Sequence, residues 1–251
     1  MPTSCQVLDY KRLNASLDNY RESYRNADPF PHIVIDDFLS AAHVSELNTK
    51  FPDPSVKKKM GVKHVPVNLE GGGEAQLGKE WLSRESLVNL AFRRLYWELN
   101  SGTFVGLLEK MTAIEGLLAD PHLLGGGVHR TKPGGYLKVH ADFNKHPNFG
   151  LDRRLNLLIY LNENWLPEYG GNLELWPEDL QHCARSIEPI AGRCVIFSTT
   201  STSYHGHPKP LTCPPDRDRR SIALYYYSNG LPAGEVSTPH ETLWQKLPGD
   251  Q

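Results

Sequence analysis

The feature that most constrains this chain is a change of period at Gly125-Gly126-Gly127. Before it, apolar residues recur at three- and four-residue steps; after it, they come in short runs bounded by Gly, Pro, Asn and Asp. The first pattern is that of helices with one buried face, the second that of short strands. Tyr10, Leu13, Leu17, Tyr20 and Tyr24 predict an amphipathic N-terminal helix, stopped by Asp28-Pro29-Phe30-Pro31. HIVIDDFL, from His32, reads as a strand, and Ser40 can cap a helix carrying Val44, Leu47 and Phe51. Leu87, Leu90, Leu95, Leu99, Phe104, Leu107, Leu108 and Met111 predict two helices joined near Ser101-Gly102. Residues 57–79 hold Lys57, Lys58, Lys59 and the run Gly71 to Gly73 with no sustained period, which predicts a long loop, either a lid or a solvated connection.

Apolar runs at about 126–130, 136–140, 154–162, 172–176, 186–190, 193–198 and 219–227 predict seven or eight strands after a helical half. The fold class this suggests is α+β with a mainly β core, a β-sandwich or jelly roll buttressed by helices on one face. At 251 residues, 39% of them hydrophobic, the chain can bury one substantial core, so a single domain is expected. Within it, 1–28 is expected as the N-terminal helix, 29–125 as helical support and lid loop, 126–228 as the jelly-roll core and 229–251 as a C-terminal extension. A net charge of -2 provides no field for a phosphate backbone, so nucleic acid is not the expected partner. No apolar run is long enough to span a bilayer and the N-terminus lacks a signal-peptide layout, so no membrane association and a cytoplasmic location are expected. Cys5, Cys183, Cys194 and Cys213 show no CxxC spacing and read as reduced thiols rather than disulfides or zinc ligands.

Chemistry enters at VHADFNKH, residues 139–146. On a strand, side chains at i and i+2 share a face, so His140 and Asp142 can converge on one ion while Ala141 turns away. A third ligand must come from elsewhere, and His205 or His207 in SYHGHP can supply it. Two imidazoles and one carboxylate leave open positions on an octahedral ion, the arrangement of non-haem Fe(II) sites that bind a co-substrate and dioxygen. His146, in the turn KHPN, reads first as a surface histidine and second as a substrate contact.

The order HAD (140–142), DRRLNLLIYLN (152–162), GGNLELW (170–176), IEPIAGRCVIFS (187–198), SYHGHP (203–208) and DRRSIALYYY (218–227) resembles the Fe(II)/2-oxoglutarate-dependent oxygenases of the prolyl 4-hydroxylase-like group. The run PFPHIVIDDFL at 29–39 is similar to that group's lead-in, so the resemblance spans roughly 29–228. It implies a double-stranded β-helix, jelly-roll or cupin-like, buttressed by N-terminal helices, and His140, Asp142 and His205 as iron ligands, with His207 the alternative to His205.

A 2-oxoglutarate site needs a cation for the buried distal carboxylate, and a planar guanidinium suits it best. Arg219 and Arg220 compete. Strand alternation groups Arg219 with Ser221, Ala223 and Tyr225, a pocket-like set, and Arg220 with Ile222 and Leu224, a packing face. Arg219-x-Ser221 also resembles the group's carboxylate clamp. By similarity, Tyr160 lies near the distal carboxylate, Asn156 further in, Leu173 forms an apolar wall and His129 a hydrogen-bonding neighbour of the co-substrate. For Tyr160 the other reading is a buried tyrosine with a satisfied hydroxyl. Candidate substrate contacts are the 57–79 loop, Asn144 to Phe149 with Asn144 and His146 foremost, Trp165 and Trp176, with core packing the first reading for each aromatic.

The resemblance implies Fe(II), 2-oxoglutarate and O2 as the reacting partners, with ascorbate a stimulant and succinate and CO2 released. Asp142 favours hydroxylation over halogenation, in which a halide takes the carboxylate's place. The implied substrate is a small molecule or peptide: prolyl, amino-acid or natural-product. The rival readings are a cupin-type metal enzyme that does not use 2-oxoglutarate and a non-catalytic jelly-roll binding module.

Overall fold

The computed structural model describes residues 6–53, 74–232 and 238–248. The N-terminal pattern forms two helices rather than the one expected, α1 (Tyr10–Ala15) and α2 (Leu17–Arg25), with Ser16 at the joint at φ -101°, ψ 5°. β1 (His32–Ile35) and α3 (Ala41–Thr49) follow, and the Ser40 side chain accepts from the His43 amide at the start of α3. After β2 (Gln76–Leu82) come α4 (Leu90–Leu99) and α5 (Gly102–Thr112), capped by Asn89 and Ser101. A short β3 (Leu118–Ala119) leads into the β-rich half.

That half contains β4 (Gly127–Ala141), β5 (Asp152–Tyr160), β6 (Leu173–Trp176), β7 (Arg185–Ile187), β8 (Cys194–Ser198), β9 (Tyr204–His207), β10 (Arg219–Ser228) and β11 (Leu243–Trp244). The strands join in the order β1-β8-β5-β10-β4-β9-β6-β7, all antiparallel, with β2 and β11 added beside β4 and β3 beside β10. This curled antiparallel sheet with helices on one side is the mainly β, helix-buttressed architecture expected.

Alternation along each strand makes the two faces. Leu155, Leu157 and Ile159 of β5 and Ile222, Leu224 and Tyr226 of β10 join a core with Phe92, Leu95, Leu99, Phe104, Leu108 and Met111 of the helices. Tyr160, Leu173, Leu175, Val195 and Phe197 form a second cluster on the opposite face. Helices cover the first face, so the second is free to line a site.

Two strand expectations need correction. The predicted loop 57–79 ends in strand, because residues 76–79 belong to β2; residues 57–73 lie outside the described residues. Gln76 to Leu82 shows no clean alternation, and its register on β4 shifts between Leu77 and Lys79, where Gly78 has φ +64°. The runs 126–130 and 136–140 are one strand, β4, which crosses Lys132-Pro133-Gly134-Gly135 without ending.

Candidate active site

β4 and β9 are antiparallel with His140 directly opposite His205, their rings 4.5 Å apart. Gly206 lets the two strands meet, since a Cβ there would lie 2.8 Å from the Leu137 carbonyl oxygen. Asp142 stands one residue past the end of β4, its carboxylate 3.6 Å from His140 Nε2 and 3.3 Å from His205 Nε2. One ligand atom from each of the three lies within 4.8 Å of the others, which fits a single ion. His140 Nδ1 is 2.8 Å from the Lys138 carbonyl and His205 Nδ1 is 2.9 Å from the Ser203 carbonyl. A ring that donates from Nδ1 leaves its Nε2 lone pair for the metal. Burial, then the neighbouring His205, pushes His140 below its ordinary value and keeps it neutral.

Asp142 is positioned by Arg153 and Asn156 of β5. Its Oδ2 accepts from Arg153 Nη2 at 3.0 Å and from Asn156 Nδ2 at 2.7 Å, while Arg153 Nε donates to Asn156 Oδ1 at 3.1 Å. Asn156 therefore orients a ligand carboxylate instead of facing the co-substrate alone. The Arg153 guanidinium is buried and stacks on Tyr225 at 3.5 Å and on Phe143 at 4.5 Å. Burial would raise the Asp142 carboxyl, but Arg153 and then His205 hold it well below the usual carboxylate range. Regular alternation on β5 would send Arg154 inward with Asn156. The register against β10 slips between Tyr226 and Tyr227, where Tyr226 faces Leu155 and Tyr227 faces Arg153, and this irregularity puts Arg153 inward.

Further along the same face, Arg219 is buried beside Tyr160. Its Nε donates to the Gly171 carbonyl at 2.7 Å and Nη2 to the Tyr160 hydroxyl at 3.4 Å. No carboxylate pairs with it among the described residues, and burial pushes its pKa down, against the opposing effect of Tyr160. Arg220 faces the other way, donating to Asp218 at 2.6 Å and stacking on Phe51. Gly171, at φ +76°, makes room for Arg219: a Cβ would sit 2.6 Å from Leu211 Cδ2 and 2.9 Å from Arg219 Cδ.

Tyr160, Ser221, His129 and Trp81 form one row across β5, β10, β4 and β2. His129 Nε2 lies 3.1 Å from the Gly125 carbonyl, and Leu173 packs in the cluster that contains Tyr160. His207, the alternative ligand, is outside the three-residue metal group. It is buried two residues along β9 from His205, and burial, Arg219 and Lys79 hold it well below the ordinary histidine value.

The candidate substrate contacts fare differently. His146 is not a surface residue: it is 1% exposed, stacked on Phe149 and edge-on to Tyr227, with Nε2 3.7 Å from Asp120. The chain after it turns back, His146 accepting at Nδ1 from the Asn148 amide, and that turn folds Phe149 over the ring. Asn144 is also buried and tethers the C-terminal segment, donating to the Thr238 carbonyl at 2.8 Å and accepting from the His240 amide at 2.9 Å. Trp176 ends β6 with its indole on Glu174 at 3.0 Å, and Trp165 packs with Leu211 and Cys213. The C-terminal segment also returns Trp244 to the site, on β11 opposite His140, rings 4.7 Å apart.

Residues 126–227 match the 2OG-Fe(II) oxygenase superfamily. The matched segment is the β-rich half that carries His140, Asp142, His205 and Arg219. Similar solved structures include a prolyl hydroxylase from Trichoplax adhaerens in complex with a hypoxia inducible factor oxygen degradation domain peptide fragment. It has 18% identity and a TM-score of 0.57, over 88% of this chain and 94% of that one. A Pseudomonas putida prolyl-4-hydroxylase has 18% identity and a TM-score of 0.51, over 85% of this chain and all 100% of that one. HygX from Streptomyces hygroscopicus, with nickel, 2-oxoglutarate and hygromycin B bound, has 13% identity and a TM-score of 0.51, over 83% of this chain and 87% of that one. At these identities the likeness carries the fold. No curated protein matches the chain.

Fe(II) and 2-oxoglutarate are the cofactors of the matched superfamily, and the residues present fit both. A neutral imidazole, a carboxylate held ionised and a second imidazole suit Fe(II); a buried guanidinium without an acid suits a carboxylate.

Proposed function

We propose that the protein is an Fe(II)- and 2-oxoglutarate-dependent dioxygenase that hydroxylates an unactivated C–H bond and releases succinate and CO2. The observation that carries this reading is Arg219, a buried cation without an acid among the described residues, on the face that also bears the His140, Asp142 and His205 group. A lone buried charge is costly, so the site is built for an anion. His140, Asp142 and His205 would hold the metal, while Arg219, Tyr160 and Ser221 would receive the distal carboxylate of 2-oxoglutarate. Bound together, metal and co-substrate supply the oxidising chemistry; the protein orients them and excludes water. Arg153 and Asn156 keep the Asp142 carboxylate ionised and aimed. The substrate is a small molecule or peptide.

The test is succinate release by the purified protein with Fe(II), ascorbate, 2-oxoglutarate and O2, across free amino acids, proline-containing peptides and metabolite pools. Substrate-stimulated succinate that disappears with Asp142→Ala supports the reading. A wild type that neither binds nor consumes 2-oxoglutarate refutes it in favour of a metal enzyme of another kind.

A further inference from the structure

Around Thr131 the two sides of the sheet treat cations differently. Arg220, Arg130 and Glu80 form one cross-strand row over β10, β4 and β2. Three cations on that side have acids: Arg130 pairs with Glu80 and lies 3.6 Å from Asp218, Lys132 lies 3.1 Å from Glu80, and Arg220 lies 2.6 Å from Asp218. The next row, one residue along each strand, is Arg219, Thr131 and Lys79, and it faces the opposite way. Among the described residues neither Arg219 nor Lys79 pairs with a carboxylate.

Lys79 lies within electrostatic reach of Asp142, Arg219 and Arg153, and His207 feels its charge from β9. Its place in the row with Arg219 puts the side chain on the face of the sheet that bears Arg219. Burial depresses the Lys79 pKa to about 8, with Asp142 opposing and the two guanidiniums adding to the fall. Asp142 is committed elsewhere: Arg153 and Asn156 hold its Oδ2, and the carboxylate belongs to the metal group with His140 and His205.

Building on the oxygenase reading above, we propose that Lys79 is a specificity-determining residue that binds a carboxylate of the substrate. The substrate is then a small free carboxylic acid, such as a free amino acid, and not a peptide residue that lacks a carboxylate of its own. Charge balance supports the step. The doubly positive metal and the doubly negative co-substrate cancel, as do Arg153 and Asp142. Arg219 and Lys79 leave the site positive, and a substrate carboxylate placed beside Lys79 offsets its charge locally. The two ends of 2-oxoglutarate are taken by the metal and Arg219, so Lys79 remains for a third carboxylate.

The experiment uses the full chain loaded with redox-inert Ni(II). Calorimetry first measures 2-oxoglutarate binding by the wild type, Lys79→Met and Lys79→Arg. The twenty free L-amino acids and a set of aliphatic and aromatic monocarboxylic acids are then titrated into each ternary complex. For every acid that binds, the matching amide is tested. The expected result is an acid that binds the wild type, loses tenfold or more in affinity as its amide or with Lys79→Met, and recovers in part with Lys79→Arg. Affinity for 2-oxoglutarate should be unchanged. Among the described residues the Lys79 side chain makes no hydrogen bond or ion pair, and methionine keeps its stem and the backbone pairing with Thr131, so the variant should fold.

The proposal is overturned if no acid binds, if acid and amide bind alike, or if Lys79→Met leaves acid affinity intact. It is also overturned if Lys79→Met weakens 2-oxoglutarate, which would assign the lysine to the co-substrate. A wild type that fails to bind 2-oxoglutarate sinks the oxygenase reading itself, and this inference with it.

Discussion

Arg153→Leu removes the guanidinium that orients Asp142, and its cost can be worked out. The Arg153 side chain is 0% exposed and the Asp142 side chain 13%, at 3.0 Å. Deleting one partner of a buried ion pair costs about 3–5 kcal/mol, and the partial exposure of Asp142 argues for the lower end, about 3 kcal/mol. Losing the cation stacked 3.5 Å from Tyr225 adds roughly 0.5–1 kcal/mol. In a chain of 251 residues each kcal/mol lowers Tm by about 2–4 °C, so the metal-free variant should melt roughly 7–16 °C below wild type. Added Ni(II) should narrow the gap, because the ion supplies Asp142 with a new positive neighbour. Differential scanning calorimetry on wild type, Arg153→Leu, Asp142→Asn and the double variant completes a cycle, with an expected coupling of about 2 kcal/mol. A single-variant loss under about 1 kcal/mol, or coupling near zero, would refute the positioning role.

Three further outcomes follow from the same geometry. The Asp142 pKa lies below its ordinary value of 3.8 in the fold, so its pairing stabilises fully above that pH and fades as pH falls towards the folded pKa. The Tm gap between wild type and Arg153→Leu should therefore be large at pH 7 and shrink below pH 3.8, as melting curves across pH would show. Gly171→Ala forces a Cβ against Arg219 and Leu211 at φ +76°; it should destabilise by about 1–3 kcal/mol and weaken 2-oxoglutarate binding at least tenfold, measurable by calorimetry. With Trp244 4.7 Å from His140, Fe(II) binding should quench tryptophan fluorescence, and Trp244→Phe should abolish most of that response.

What was legible in the sequence was whatever depends on simple alternation. Alternation groups Arg219 with Ser221 and Arg220 with Ile222, and the structure places those pairs on opposite faces. His140 and Asp142 are two residues apart, and their convergence needs only a local strand direction. Arg153 was hidden because an irregularity in the β5 and β10 pairing reverses its face. Lys79 was hidden because β2 has a register shift at Gly78 and reads as loop. His146 misled for another reason: KHPN looks like an exposed turn, but Phe149 and Tyr227 close over the ring, and such tertiary cover leaves no local signal.

The central claim is that one site holds both Fe(II) and 2-oxoglutarate, with Arg219 gripping the distal carboxylate. Anaerobic calorimetric titration of 2-oxoglutarate into the Fe(II)-loaded protein tests it most directly. The account predicts one molecule bound per chain and a strong dependence on metal. It also predicts an affinity loss of about 2–5 kcal/mol in Arg219→Ala but little change in Arg220→Ala. Metal-independent binding, or an Arg219→Ala protein that binds as well as wild type, would contradict it.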